Sequence, residues 1–286
     1  MPVAIVTDTT HYIPAAILGE HGVQQVSLYI NDADQTVREA DIVDLDDYYE
    51  RLKDLSHAPT TSQPSVGDFL AVYEPLAAAG NDIVSIHLSA AISGTSETAR
   101  LAGEELKASY PDRQVAVVDS RSACAGLGGV ALAAAAAART GQGVEQVVRH
   151  AEDARSALKV WFAIDTLEYL RRGGRIGGAQ AWIGGALKVK PILTCDGDIK
   201  PVERVRTAGK MFDRMVAYMS ELVQDGADCW FIQHIQSPDK AAELVERGRE
   251  IFDSEPLFVG EIGPVIGAHL GPGMLGVGGM PSRFLP

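Results

Sequence analysis

Four short runs of hydroxyl-bearing residues carry the most chemical information in this sequence. They are Thr7-Asp8-Thr9-Thr10, Thr60-Thr61-Ser62-Gln63-Pro64-Ser65, Ser89 with Ser93-Gly94-Thr95-Ser96, and Asp119-Ser120-Arg121-Ser122. Three follow strand-like segments and one precedes a helix-like segment. Helix N-termini in such turns present unpaired N–H groups and the positive end of the helix dipole. Hydroxyls add donors without adding charge, a combination that suits a carboxylate or a phosphate. Each run by itself has a local explanation: Ser and Thr are ordinary N-caps, and Ser65-Val66-Gly67-Asp68 has the form of a capping box. The expectation of a ligand site rests on several runs converging, as they do at the carboxyl edge of a doubly wound sheet.

Charge adds a second signal. The chain carries a formal net charge of −13, which disfavours nucleic acid and anionic membrane as partners. Between residues 171 and 210, however, nine basic residues (Arg171, Arg172, Arg175, Lys188, Lys190, Lys200, Arg204, Arg206, Lys210) face three acids. That stretch is +6 and the remainder −19. It is either a solvated charged face or a patch for a specific anionic partner, such as a nucleotide phosphate or an acidic protein surface.

Other chemistries lack their signatures. Cys124, Cys195 and Cys229 are far apart with no CxxC pair, so neither a disulfide framework nor a zinc site is expected, and a reducing cytoplasm is. The N-terminus enters a strand at once, without the form of a signal peptide. The apolar run 125–138 is too short for a membrane span. There is no GxxxxGKS/T loop, and the GxGxxA match at Gly126-Leu127-Gly128-Gly129-Val130-Ala131 stands apart from its strand, so it reads as close helix packing. Ser93 lacks a GxSxG elbow, and no HExxH pattern or His/Asp cluster suggests a metal. His269 lies in a Gly/Pro-rich stretch, where backbone approaches a ligand closely; a nearby carboxylate would favour its charged form. His87 falls inside a strand pattern and reads as core or sheet edge.

These residues are positioned by an alternating pattern. Residues 3–7, 82–88 and 114–119 read as buried strands, and 66–79, 96–110 and 126–140 as helices, which predicts a parallel sheet covered on both faces. Residues 31–58, acidic and polar, read as a surface excursion. From about residue 159 the pattern changes. A strand (159–164) and a short helix (165–172) end at Gly173-Gly174, where glycine supplies a left-handed stop. A second short helix (179–185) follows, then a hairpin (190–194 and 199–204) across Cys195-Asp196-Gly197-Asp198. Amphipathic helices at 207–224 and 240–253 flank a strand at 229–235, and the glycine-rich tail 271–284 returns to a sheet. The expected architecture is α/β with two domains, an N-terminal doubly wound, mainly parallel sheet (1–158) and a C-terminal α/β domain (159–286).

Several segments together resemble the DegV family. They are Thr61-Ser62-Gln63-Pro64-Ser65, Ser93-Gly94-Thr95, Val118-Asp119-Ser120, Leu167-Glu168-Tyr169-Leu170 through Gly173-Gly174-Arg175-Ile176, Lys190-Pro191-Ile192-Leu193, and Gly267-Ala268-His269-Leu270-Gly271-Pro272-Gly273. The resemblance covers the whole chain, with its motifs in order. Departures are Thr9 in the first turn (TDTT rather than TDST), Ala268 and Leu270 where a Thr is frequent, and Ser96-Glu97 where an aromatic is common. The resemblance implies a fatty-acid-binding subunit of the FakB type, with a long-chain fatty acid buried between the domains. Its carboxylate would be held by Thr61, Ser62, Ser93, Gly94 and His269. Arg175 and Arg206 would dock a separate fatty acid kinase or its phosphate. The subunit would perform no catalysis and hold no metal or cofactor; it would act in phospholipid metabolism in the cytoplasm, without stable membrane insertion.

Two further readings make different demands on the same residues. An enzyme acting on a small anionic or acyl substrate would use Ser93 as nucleophile and His269 as base. A regulatory sensor would bind its partner only when lipid-loaded.

Overall fold

The computed structural model describes residues 1–32, 35–54, 59–182 and 189–285. Its first half contains β1 (Val3–Asp8), α1 (Ala15–Glu20), β2 (Gln24–Val26), β3 (Tyr29–Asp32), β4 (Gln35–Arg38), α2 (Leu45–Leu52), β5 (Thr60–Ser62), α3 (Val66–Ala78), β6 (Asp82–His87), α4 (Thr95–Ser109), β7 (Val115–Asp119), α5 (Cys124–Arg139) and α6 (Val144–Ala157). The second half contains β8 (Lys159–Ala163), α7 (Glu168–Arg172), β9 (Lys190–Asp196), β10 (Asp198–Val205), α8 (Ala208–Gln224), β11 (Cys229–His234), α9 (Pro238–Phe252), β12 (Val259–Glu261), α10 (Pro264–Leu270) and β13 (Leu275–Met280).

Three sheets result. The first is parallel with order β2-β1-β6-β7. Helices α3 and α4 cover one face, and α5 and α6 the other. Its strands β1, β6 and β7 read as apolar runs because helices cover both faces, whereas the edge strand β2 (Gln24-Gln25-Val26) does not. His87, fully buried on the inner strand β6, is core rather than edge: its Nδ1 lies 3.0 Å from Asp8 Oδ2 and its Nε2 2.7 Å from Ser85 Oγ, which in turn accepts from Tyr73.

The second sheet is mixed, with order β10-β9-β8-β13-β11-β12. The glycine-rich tail forms β13, an inner strand between β8 and β11. Glycine is needed there because a Cβ at Gly278 would overlap the Phe231 ring across the ladder. Alternation along β8 separates two environments. Trp161 stacks on Tyr218 of α8 at 3.9 Å, while Val160 and Phe162 face a cavity. Helix α5 packs between the first two sheets, touching β1 and β6 on one side and β11 and β13 on the other. Its alanines and glycines let it fit: Gly128 lies against Ile13 and Gly129 against Met280.

The third sheet, β4-β3-β5, is antiparallel. It corrects the expected surface excursion over 31–58. Tyr48, Tyr49, Leu52 and Glu39 are buried there, and α2 packs on α10. Apolar side chains of α2 recur at helical spacing among its acids, and those positions turn inward. Thr60–Ser62 therefore belongs to this sheet, not to the carboxyl edge of the parallel one. Helix α6 was not anticipated in the sequence. Of the expected helix at 179–185, residues 177–182 form a 3-10 turn and the rest lie outside the described residues.

Candidate ligand-binding site

A cavity of about 310 Å³ lies where the sheets meet. Its size is at the small end of ligand pockets. Leu28, Leu88, Ile92, Val160, Phe162, Leu170, Ile199, Phe231, Val265, Ile266, Leu270, Met274 and Val277 give it an apolar lining. Thr61, Ser62, Ser93, Arg175 and His269 add polar groups to the lining.

Each polar residue arrives on a different element. Thr61 and Ser62 come from β5, paired with Ile30 and Tyr29 of β3. Ser93 closes the turn before α4, where its Oγ lies 2.8 Å from Thr95 Oγ1 and accepts from Thr95 N. Gly94 is the α4 N-cap; a Cβ there would overlap the Gln63 amide, which donates to Thr98 Oγ1 at 2.8 Å. Gly94 thus supports the site without lining the cavity. Arg175 follows α7, donating to Gly173 O at 2.7 Å and Ile92 O at 3.3 Å. The left-handed residue at this exit is Gly174 (φ 68°), since Gly173 remains helical.

His269 occupies the last turn of α10 rather than the expected loop. Its Nε2 lies 2.9 Å from Thr61 Oγ1, joining residues 208 positions apart. Its Nδ1 is buried, has no hydrogen-bond partner among the described residues, and packs against Gly173, where a Cβ would overlap the ring. Burial, followed by the positive charge of Arg175, pushes the imidazole down to about 4. The surrounding protein thus favours the neutral imidazole, and only a carboxylate beside it would favour the charged form.

Not all the hydroxyl runs converge. Thr9 donates to Glu39 at 2.5 Å and Thr10 to Asp8 at 2.5 Å. Ser89 donates to Gly197 O, and Ser120 to Ser122 O at 3.1 Å. The local explanation holds for Thr10 and Ser120, whereas Thr9 and Ser89 are taken up by partners distant in the sequence. Arg206 is exposed just beyond β10 and does not line the cavity, and Lys188 lies outside the described residues. Ser93 and His269 are hydrogen-bonded to Thr95 and Thr61 respectively, so the nucleophile–base contact of the enzyme reading is not formed here. Among the described residues, no group of three His, Cys, Asp or Glu side chains could hold a metal ion, and no helix is long and apolar enough to cross a membrane.

Sequence reasoning missed Gln233, Cys124 and Cys195 as lining residues. Gln233 sits within an apolar strand, where a lone amide is the available signal. It ties the site together: its Oε1 accepts from Ala125 N at 2.6 Å, and its Nε2 donates to His11 O at 3.2 Å. Both thiols are pushed up by burial, Cys195 to about 12.

Fold and site together define an α/β protein with a parallel sheet, a mixed sheet and an apolar cavity bearing a few uncharged donors and one arginine. Over residues 2–282 the sequence matches the family described as "Uncharacterised protein, DegV family COG1307", and the chain belongs to that family. A DegV domain-containing protein of Streptomyces coelicolor is 41% identical over 278 residues, spanning 96% of this chain and 97% of that protein. Protein DegV of Bacillus subtilis is 34% identical over 280 residues, 97% of this chain and 98% of its own. Among solved structures, a DegV family protein of Thermus thermophilus described by its fatty acid binding aligns with a TM-score of 0.87 at 33% identity, covering 98% of this chain and all of the other. DegV of Bacillus subtilis, described as a fatty acid binding protein, aligns with a TM-score of 0.86 at 34% identity over 98% and 99% of the two chains.

Proposed function

We infer that this protein binds a long-chain fatty acid, with the acyl chain in the cavity and the carboxylate at Thr61, Ser62, Ser93 and His269, while Gly94 shapes the turn that carries Ser93. The observation that carries this reading is the cavity that combines an extensive apolar lining with Thr61, Ser93 and His269 from three separate elements. The fatty acid binding of the Thermus thermophilus and Bacillus subtilis proteins supports it.

Tail and head make different contributions. Burying a methylene is worth roughly 0.8 kcal/mol, so about fifteen give on the order of 12 kcal/mol gross. Association and chain ordering offset much of that. A charge-assisted hydrogen bond adds about 1.5–3 kcal/mol. The tail sets affinity and the head group sets orientation. An acyl chain of that length needs the cavity to extend into a tunnel between a unit of residues 1–158 and one of 159–286.

In this reading the protein performs no chemistry on its ligand. It presents the carboxylate to a separate fatty acid kinase in the cytoplasm, with Arg175 and Arg206 contacting the kinase or its phosphate. Arg175 borders the cavity while its guanidinium remains exposed, so it can meet both ligand and partner.

Mass spectrometry of an organic extract of natively purified protein tests the binding. A fatty acid recovered near one-to-one stoichiometry is the expected result. Protein that is clean and takes up no added fatty acid refutes the reading. Loss of acyl phosphate formation with an added kinase in Arg175→Ala and Arg206→Ala, with binding retained, is expected of docking residues.

A further inference from the structure

Glu39 is a buried carboxylate with an unusual set of partners. It opens the short 3-10 turn after β4 and is 5% exposed. Three donors from three places reach it. Thr9 Oγ1, in the turn after β1, donates to Oε2 at 2.5 Å; Tyr12 OH donates to Oε1 at 2.7 Å; and the Val265 N–H, in the first turn of α10, donates to Oε1 at 2.8 Å. Tyr12 OH also accepts from Ile266 N at 3.1 Å, so the next residue of α10 is held through the same hub. Tyr12 reaches this position with a left-handed φ of 48°. Gly263 makes the approach possible: a Cβ there would lie 2.7 Å from the Tyr12 ring and 3.1 Å from Glu39 Oε1. A non-glycine residue in left-handed conformation and a glycine required by close approach both indicate a contact that the fold maintains against a cost.

The element so held is the one that carries the ligand site. Val265, Ile266, His269 and Leu270 of α10 all line the cavity. Leu28 joins from the other side: it donates its N–H to Thr9 Oγ1, accepts from Glu39 N, and lines the cavity.

We propose that Glu39 is the positioning residue of the fatty-acid site, holding α10 through Val265 and Tyr12 so that His269 meets Thr61, and that ligand affinity therefore depends on its charge. This rests on the fatty-acid reading above. Ionised, Glu39 accepts three charge-assisted bonds. Protonated, it holds α10 through weaker neutral ones. Burial pushes its carboxyl up to about 7 against the pull of its three donors, so the change falls near neutral pH. The other titratable groups near it are all shifted away from neutral pH. Tyr12, Tyr48, Tyr49 and Cys124 are pushed up and Asp8 is pulled down. His11, in the same turn as Thr9, is pushed down by burial.

Glu39→Gln mimics the protonated acid in shape and neutrality. The test is calorimetric titration of palmitate into intact protein and variant at pH 6 and pH 8, with the imidazole resonances of His269 followed by NMR. The protein is expected to bind about fivefold more tightly at pH 8, the strength of one hydrogen bond losing its charge assistance. Glu39→Gln is expected to bind equally at both, at the wild-type pH 6 level, with the His269 signals fixed. The difference between the two profiles belongs to Glu39. Thr9→Val, which removes one donor without touching α10, is expected to move the wild-type midpoint to higher pH. A Glu39→Gln profile that parallels the wild type, or a Thr9→Val midpoint that does not move, overturns the role of Glu39 alone. Wild-type protein that binds no palmitate at either pH overturns the fatty-acid reading, and this one with it.

Discussion

A single methyl group at Gly173 tests whether the position of His269 matters. Gly173 ends α7 with φ −71° and ψ −8°, which alanine adopts freely. On backbone grounds Gly173→Ala should stabilise the fold by roughly 0.4–1 kcal/mol, through the unfolded chain. The added Cβ, however, overlaps His269 Nδ1 and lies 2.8 Å from Cε1 and 3.3 Å from Cγ. The ring is anchored on its other side by the 2.9 Å contact with Thr61. It must move, at an overpacking cost of about 1–3 kcal/mol and the loss of a hydrogen bond worth about 1 kcal/mol. The expected outcome is a net destabilisation of about 1–3 kcal/mol by urea unfolding and a loss of palmitate affinity of about tenfold by calorimetry. A variant at least as stable as the parent, binding palmitate unchanged, would refute the packing of His269 on Gly173 and its place at the head group.

Stability should show two opposed pH slopes. His269, depressed to about 4 when folded, binds fewer protons than in the unfolded chain, so its contribution is present above its unfolded value near 6.5 and is lost as pH falls toward 4. Glu39, raised to about 7 when folded, contributes stability below its unfolded value near 4.5 that is lost as pH rises through 7. Each is worth up to about 3 kcal/mol, and between about pH 4.5 and 6.5 they cancel. Urea unfolding of Glu39→Gln should reveal stability rising with pH across that window, and of His269→Asn stability falling; flat profiles in both refute the assignment. Cys195→Phe projects a ring into the cavity and should weaken palmitate about fourfold for each methylene displaced, with shorter acids less affected; equal affinity across a chain-length series would exclude Cys195 from the acyl path. Tyr49→Phe removes the donor to Ile262 O at 2.6 Å and Gly263 O at 3.0 Å, before α10, and should cost about 1–2 kcal/mol on thermal unfolding; an unchanged melting temperature would refute it.

Three strands of the parallel sheet were legible because burial on both faces writes itself as continuous apolar runs, as in β6, whereas the short polar edge strand β2 was not; the capping box at Ser65 was legible because its contacts are local. The hairpin between β9 and β10 was legible for the same reason: its turn at Gly197 is a four-residue event. The segment 31–58 was misread because acids on α2 dominate its composition, while Tyr48, Tyr49 and Leu52 are buried only once α10 arrives from over two hundred residues away. His269 gave no helical signal, since α10 is short and flanked by glycine and proline.

The sequence by itself determined the three apolar runs of the parallel sheet with their main helices, the β9–β10 hairpin, and family membership. Those properties depend on periodicity, turn residues and ordered motifs, which are written along the chain. Only tertiary structure decided which hydroxyls remain available. Thr9, Thr10, Ser89 and Ser120 look equivalent to Thr61 and Ser93 in the sequence, yet the first four bond to protein partners that the fold supplies, while the latter two face the cavity. The charge state of His269 and the hold of Glu39 on α10 were likewise decided there. Desolvation and long-range hydrogen bonding act between groups that only the packed chain brings together.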